Sequence, residues 1–136
     1  MFLDELARRI TDAGVARLQE VDGVLPPIFF NQFTEAPDTQ VVLVATQGLP
    51  GIRVQEKKGE SYVNQSAQVQ VRDVKQRDAS NLAHQIWAIY NEVVNTTIMG
   101  VSYLAIFCEQ QEFYLGSDAN DRYVYGFNLR ALKQPS

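Results

Sequence analysis

The sequence is poor in the residues that most often carry chemistry. It has one cysteine, Cys108, and one histidine, His84. A single cysteine rules out an internal disulfide framework and suits a reducing compartment. His84 has no Cys, Asp or Glu at ligand spacing around it, so no metal site is expected there. Basic residues are outnumbered, 12 Lys and Arg against 16 Asp and Glu, for a net charge of -4. That balance argues against a general nucleic-acid binder, which carries a basic excess or stripe. Long apolar runs are missing too. The strongest, Tyr103 to Cys108, is far too short to span a bilayer. Asp4, Glu5, Arg8 and Arg9 crowd the N-terminus and leave no uncharged secretory segment. The expectation is a soluble intracellular chain, and 136 residues fit one domain.

Other candidate sites fail on spacing. Cys108 sits in an apolar strand pattern and reads as a buried, inert thiol. Asp118-Ala-Asn120-Asp121 lacks the length, central glycine and closing glutamate of a calcium loop. Gly48-Leu-Pro-Gly51 is followed by no Lys-Ser/Thr pair and opens no helix, so it is no phosphate loop. Glu35, Asp38, Glu109 and Glu112 are scattered carboxylates with no motif joining them. No enzyme, cofactor or metal is expected.

What is present centres on Ala67 to Val94. Ala67, Val69 and Val71 alternate with Gln68, Gln70 and Arg72, the period of a half-buried strand. The period then changes. Ala79, Leu82, Ala83, Ile86, Tyr90 and Val93 recur at three- and four-residue steps, one apolar stripe on a helix from Val74 to Val94. Arg77, Asn81, His84 and Asn91 fall on the polar side, and Asp73 with Gln76 fits a capping-box variant. The helix must pack on a sheet.

The rest of the chain supplies that sheet. Phe2 to Ala13 reads as a helix with a Leu3, Leu6, Ala7, Ile10 stripe, stopped by Gly14. Ile28 to Phe30 is a short strand. Gln40 to Thr46 is apolar on both faces and should be covered on both. Residues 47–66, with Gly48, Pro50, Gly51 and Gly59 among charges, read as a long polar loop or a mobile hairpin arm. After a Met99-Gly100 turn, Val101 to Glu109 is a strand, with Tyr103, Ala105 and Phe107 on one face and Leu104, Ile106 and Cys108 on the other. Phe113 to Gly116 extends it, Ser117 to Asp121 turns, and Arg122 to Ala131 alternates again as its antiparallel partner. The fold class is α+β: a mostly antiparallel sheet of four to five strands with both helices on one face and a long polar loop. Residues 1–132 form the domain, and 133–136 are expected to be a disordered tail. The sheet face carrying Gln68, Gln70 and Arg72 is either wet or an interface.

The ordered set of local patterns resembles the tail terminators, or tail-completion proteins, of long-tailed phages, often labelled minor capsid proteins. It comprises Phe2-Leu3-Asp4, Pro37-Asp38 before Val41-Val42-Leu43, Gly48 opening a variable loop, and Val69-Gln70-Val71-Arg72 leading to Ala79, Ala83 and Ile86. Gly100-Val-Ser-Tyr103-Leu104 and Phe113-Tyr114-Leu115-Gly116-Ser-Asp118 complete it. The resemblance spans Phe2 to Leu132. Val15 to Pro27 is longer than the family pattern suggests, and the helix runs into Asn95-Thr96-Thr97 rather than ending tightly.

The resemblance implies a structural neck protein, assembled in the host cytoplasm into a virion. It implies a homo-oligomeric ring, hexameric by analogy, that caps the head-proximal end of the tail tube and meets the head connector. DNA would pass through without specific binding, and no membrane is involved. Candidate assembly residues are Arg53, Glu56, Lys57, Lys58 and Glu60 in the loop, and Gln68, Gln70 and Arg72 on the polar strand face. The competing expectations are another connector or stopper subunit, and a monomeric ligand-binding α+β domain.

Overall fold

The computed structural model describes residues 2–19, 23–46, 54–55 and 61–134. Helix α1 spans Phe2–Asp12. Its Leu3, Leu6, Ala7 and Ile10 are buried, its acids lie in the first turn and Arg9 in the last, as the helix dipole favours. Gly14 follows at φ 77°, the left-handed conformation that ends a helix most readily in glycine.

Eight strands follow among the described residues, more than the four or five expected. They are β1 (Ile28–Phe30), β2 (Gln40–Thr46), β3 (Val54–Gln55), β4 (Ser61–Asp73), β5 (Val94–Ile98), β6 (Val101–Cys108), β7 (Phe113–Ser117) and β8 (Tyr123–Lys133). Helix α2 spans Gln76–Asn91 between β4 and β5. The sheet order is β1-β2-β4-β8-β6-β5, with β3 pairing to β4 and β7 to β8. Only the β1–β2 pair among these is parallel.

Both helices pack on one face, as expected. Leu6 and Ile10 of α1 join Ala83, Ile86 and Tyr90 of α2 in one core with Val41, Leu43, Val69, Val71, Phe127 and Leu129. Burying each such Leu or Ile contributes about 1.5–3 kcal/mol. Tyr90 ties the helices together by donating its hydroxyl to the Leu6 carbonyl at 2.7 Å. Burial raises the Tyr90 phenol well above its ordinary pKa, so it stays a donor.

Several elements differ from the sequence expectation. Helix α2 starts at Gln76 behind Lys75, which makes no side-chain cap. Asp73 instead accepts from the adjacent Val74 amide at 2.6 Å. The helix stops at Asn91, and Val94-Asn-Thr-Thr-Ile98 is the edge strand β5. Met99 and Gly100, at φ 50° and 76°, form the two-residue β5–β6 turn with Ile98 opposite Val101. In β6 a bulge between Tyr103 and Ala105 breaks the alternation. Tyr103 and Ile106 are therefore both buried, while Phe107 is exposed.

The segment read as loop 47–66 is strand from Ser61 onward, and Val54–Gln55 pairs back onto it. The segment read as a disordered tail begins in β8, because Lys133 closes that strand and is fully buried. Its ammonium donates to Glu5 Oε1 at 2.6 Å, and the Tyr103 hydroxyl donates to the same oxygen at 2.6 Å. Lys133 also lies 5.4 Å from the Phe2 ring centroid. Burial pushes the Glu5 carboxyl upward, but the Lys133 and Tyr103 hydrogen bonds outweigh it and hold it below its ordinary range.

Candidate functional site

The face of the sheet turned away from the helices carries the polar positions of β4. Gln68 lies opposite Asn128 and Gln70 opposite Gly126. Gln70 donates its side-chain amide to Gln68 Oε1 at 2.6 Å, and Gln68 donates to Asn128 Oδ1 at 3.1 Å. Three half-buried amides thus form a short ladder across two central strands. Such groups can exchange hydrogen bonds with an incoming surface at little desolvation cost. Gly126 is demanded by close approach. A Cβ there would sit 2.3 Å from the Val69 carbonyl oxygen and 2.7 Å from Leu115 Cδ1.

Arg72, the third face residue named from the sequence, is placed differently from its neighbours. It is 2% exposed and reaches into the segment 31–39. Its guanidinium donates to the Asp38 carbonyl at 3.0 Å and the Pro37 carbonyl at 2.8 Å. Its charged group also lies 4.9 Å from the Phe33 ring centroid. Arg122, at 6% exposure, donates to Asp118 Oδ2 at 2.7 Å, to the Glu35 carbonyl at 2.6 Å and to Asp38 Oδ1 at 3.2 Å. Asp118 Oδ2 also lies 3.7 Å from Arg72, so one carboxylate oxygen faces both cations.

The electrostatics follow from that sharing. Burial and the neighbouring Arg122 lower the Arg72 pKa, against the pull of Asp118 and Asp38. Burial opposes the Arg122 charge as well, but hydrogen bonds to Asp118 and Asp38 raise its pKa overall. Burial pushes Asp118 up, yet hydrogen bonds from the Arg122 backbone and side chain hold it below its ordinary value. Arg122, Asp118 and Gln40 were not legible as a group. Arg122 reaches Glu35 and Asp38 across 87 and 84 positions of sequence, and only the Ser117–Asp121 turn chemistry hinted at a structured corner.

The remaining loop candidates, Arg53, Glu56, Lys57, Lys58 and Glu60, lie outside the described residues. His84 is exposed on α2, stacks on Trp87 at 5.5 Å between ring centroids, and sits 3.1 Å from Glu112. Cys108 approaches the Trp87 carbonyl at 3.8 Å, and burial pushes its thiol pKa up to about 12, far from a reactive thiolate. Among the described residues no three His, Cys, Asp or Glu side chains converge as a metal site. No helix among them is long and apolar enough to cross a membrane. Surface depressions of about 310 Å³ beside Phe33 and Gln70, and about 380 Å³ among Asn64, Ser66, Glu109 and Arg130, have mixed or polar walls.

Comparison with known proteins places this architecture. A solved chain from the virion of a native gene transfer agent particle superposes with a TM-score of 0.56 at 10% identity. The match covers 79% of this chain and 78% of that one. A second solved chain, of no stated function, gives a TM-score of 0.59 at 12% identity over 99% of this chain and 94% of that one. At such identities the likeness is one of fold. No curated protein matches the sequence. The family model described as bacteriophage tail terminator protein matches residues 10–135, nearly the whole chain. The chain therefore belongs to the bacteriophage tail terminator family, and its role is a structural one in the phage tail.

Proposed function

We propose that this chain assembles into a homo-oligomeric ring, hexameric in number, that caps the head-proximal end of the tail tube. The cap ends tube polymerisation and offers the head connector its docking surface. The observation that carries this reading is the family match over residues 10–135. The fold is compatible with it. A closed ring needs two different complementary surfaces per subunit. The Gln68–Gln70–Asn128 ladder is one, on the face opposite the helices. The second is assigned, from sequence, to Arg53, Glu56, Lys57, Lys58 and Glu60, whose mixed signs suit pairing between neighbours. Arg72 contributes indirectly, by holding the segment 31–39 beside the ladder. The net charge of -4 keeps DNA from adhering as it passes.

Native mass spectrometry across a concentration series, with electron micrographs of the assembled fraction and of mixtures with tail tubes, tests the proposal. Six-subunit rings, or rings seated on tube ends, are the expected result. A chain that stays monomeric and leaves tube length unregulated overturns it. Binding to the connector but not to the tube would move the assignment to a stopper subunit. Deleting Ile52 to Glu60 should preserve the fold and abolish tail joining.

A further inference from the structure

The segment 31–39 has no regular secondary structure, yet side chains from outside it hold polar groups of Thr34, Glu35, Pro37 and Asp38. Gln40, fully buried, accepts from the Thr34 amide at 3.0 Å and donates to Thr34 Oγ1 and the Pro37 carbonyl, each at 2.7 Å. Arg72 takes the Pro37 and Asp38 carbonyls, and Arg122 takes the Glu35 carbonyl. Val42 shares this face, since it pairs with Gln70 as Gln40 pairs with Arg72. It is fully buried but is no member of the helix-side core. The outer surface of the segment is exposed at Asn31, Gln32 and Thr34 to Asp38.

We propose that residues 31–39 form a strap that closes over the open sheet face as one unit, with Asp118 as its keystone. Two guanidiniums, each at least nine-tenths buried, flank a single Asp118 oxygen. The other carboxylate in reach, Asp38, is carried by the strap itself and is 63% exposed. Removing the Asp118 charge leaves two neighbouring buried cations without their fixed counter-charge, a state a low-dielectric site resists strongly. The cheapest relief is to swing the strap out and hydrate both arginines. The helix-side core meets the strap at its first residue, where the Asn31 amide donates to the Leu43 carbonyl, but among the described residues none of its side chains hydrogen-bonds or ion-pairs with Arg72, Arg122 or Asp118. An open strap bares Val42 and the Arg72 guanidinium beside Gln70 and Gln68, which widens the amide face and adds a positive charge to it. The strap is a property of the isolated subunit and stands or falls apart from ring formation.

Hydrogen–deuterium exchange of the full chain tests this, comparing the native protein with Asp118→Asn. Exchange across 31–39 should accelerate at least ten-fold while amides of Ala79–Tyr90 in α2 change less than two-fold. Asp121→Asn, in the same turn but outside the cluster, should leave both at the native rate. Unchanged strap exchange in Asp118→Asn, or strap and α2 accelerating together, overturns the proposal. Should Asp118→Asn not fold, native-state exchange of the unmodified chain in rising denaturant decides. The Thr34 amide must then open at lower denaturant than α2, and opening only with α2 overturns the strap.

Discussion

Two ionic clusters bind opposite faces of one sheet, and they are built on different logic. On the helix side, Glu5 of α1 accepts from Lys133 of β8 and Tyr103 of β6, all within the core. On the open side, Arg72 and Arg122 bring two positive charges to one shared carboxylate, and draw further stabilisation from Asp38 on the loop and from backbone carbonyls. The first cluster joins a helix to two central strands from inside the core and acts as a rivet. The second is balanced only while a loop and a turn stay in place, and so it fixes an irregular segment that has no ladder of its own. Charge count alone does not distinguish these roles; the elements that supply the partners do.

The comparison can be broken most forcefully at the rivet. Lys133→Met should cost about 3–5 kcal/mol, because it removes the buried ammonium that faces the Glu5 carboxylate. The double variant Glu5→Leu/Lys133→Met should cost clearly less than the single change. Chemical denaturation of the three proteins checks this, and a double variant no better than the single one would mean the pair is stabilising outright. Acid probes both clusters at once. Glu5 and Asp118 are each held below their ordinary values in the folded state. Their contribution is therefore complete above the unfolded carboxylate pKa, near 4–4.5, and is lost as pH falls through the lower folded values. Thermal melts from pH 7 to pH 3 should show stability falling below about pH 4.5, and less steeply in Glu5→Gln. Tyr90→Phe, which removes one buried hydrogen bond to the Leu6 carbonyl, should cost about 1–3 kcal/mol. The smallest effect on folding belongs to the amide ladder. Gln70→Ala should change stability by about 0.5–1.5 kcal/mol at most, while reducing ring formation in the assembly assay.

Much of the helix-side layer was legible because it follows periodicity. The Leu3, Leu6, Ile10 stripe, the Ala79, Ala83, Ile86, Tyr90 stripe and the Val69, Val71 alternation each announce their inward side locally. Where the local signal and the long-range partner disagree, the reading failed. Glu5 and Lys133 look like surface charges until the two ends of the chain meet. Arg72 alternates with Val71 as a solvent residue would, but its partners sit 34 and 35 residues upstream. The Tyr103–Ala105 bulge shifts the parity of β6, and no residue type in that stretch signals it. Strand β5 was hidden because Val94 is exposed and Asn95 sits at φ 47°, so neither alternation nor helical spacing is kept. On the open face the ladder was half visible, since Gln68, Gln70 and Asn128 alternate cleanly, whereas the strap cluster depended on Gln40, Asp118 and Arg122 meeting in space.

Strand β8 is the last strand of the chain and also the one against which β4, β6 and β7 pair. During translation the nascent polypeptide can zip β1, β2 and β4 on one side and β5 with β6 on the other, but no strand pairing joins these two groups until β8 leaves the ribosome. The Lys133 ammonium then meets Glu5 across 128 positions of sequence. A ribosome that stalls before this residue releases two half-sheets with raw edges, which proteases and chaperones recognise.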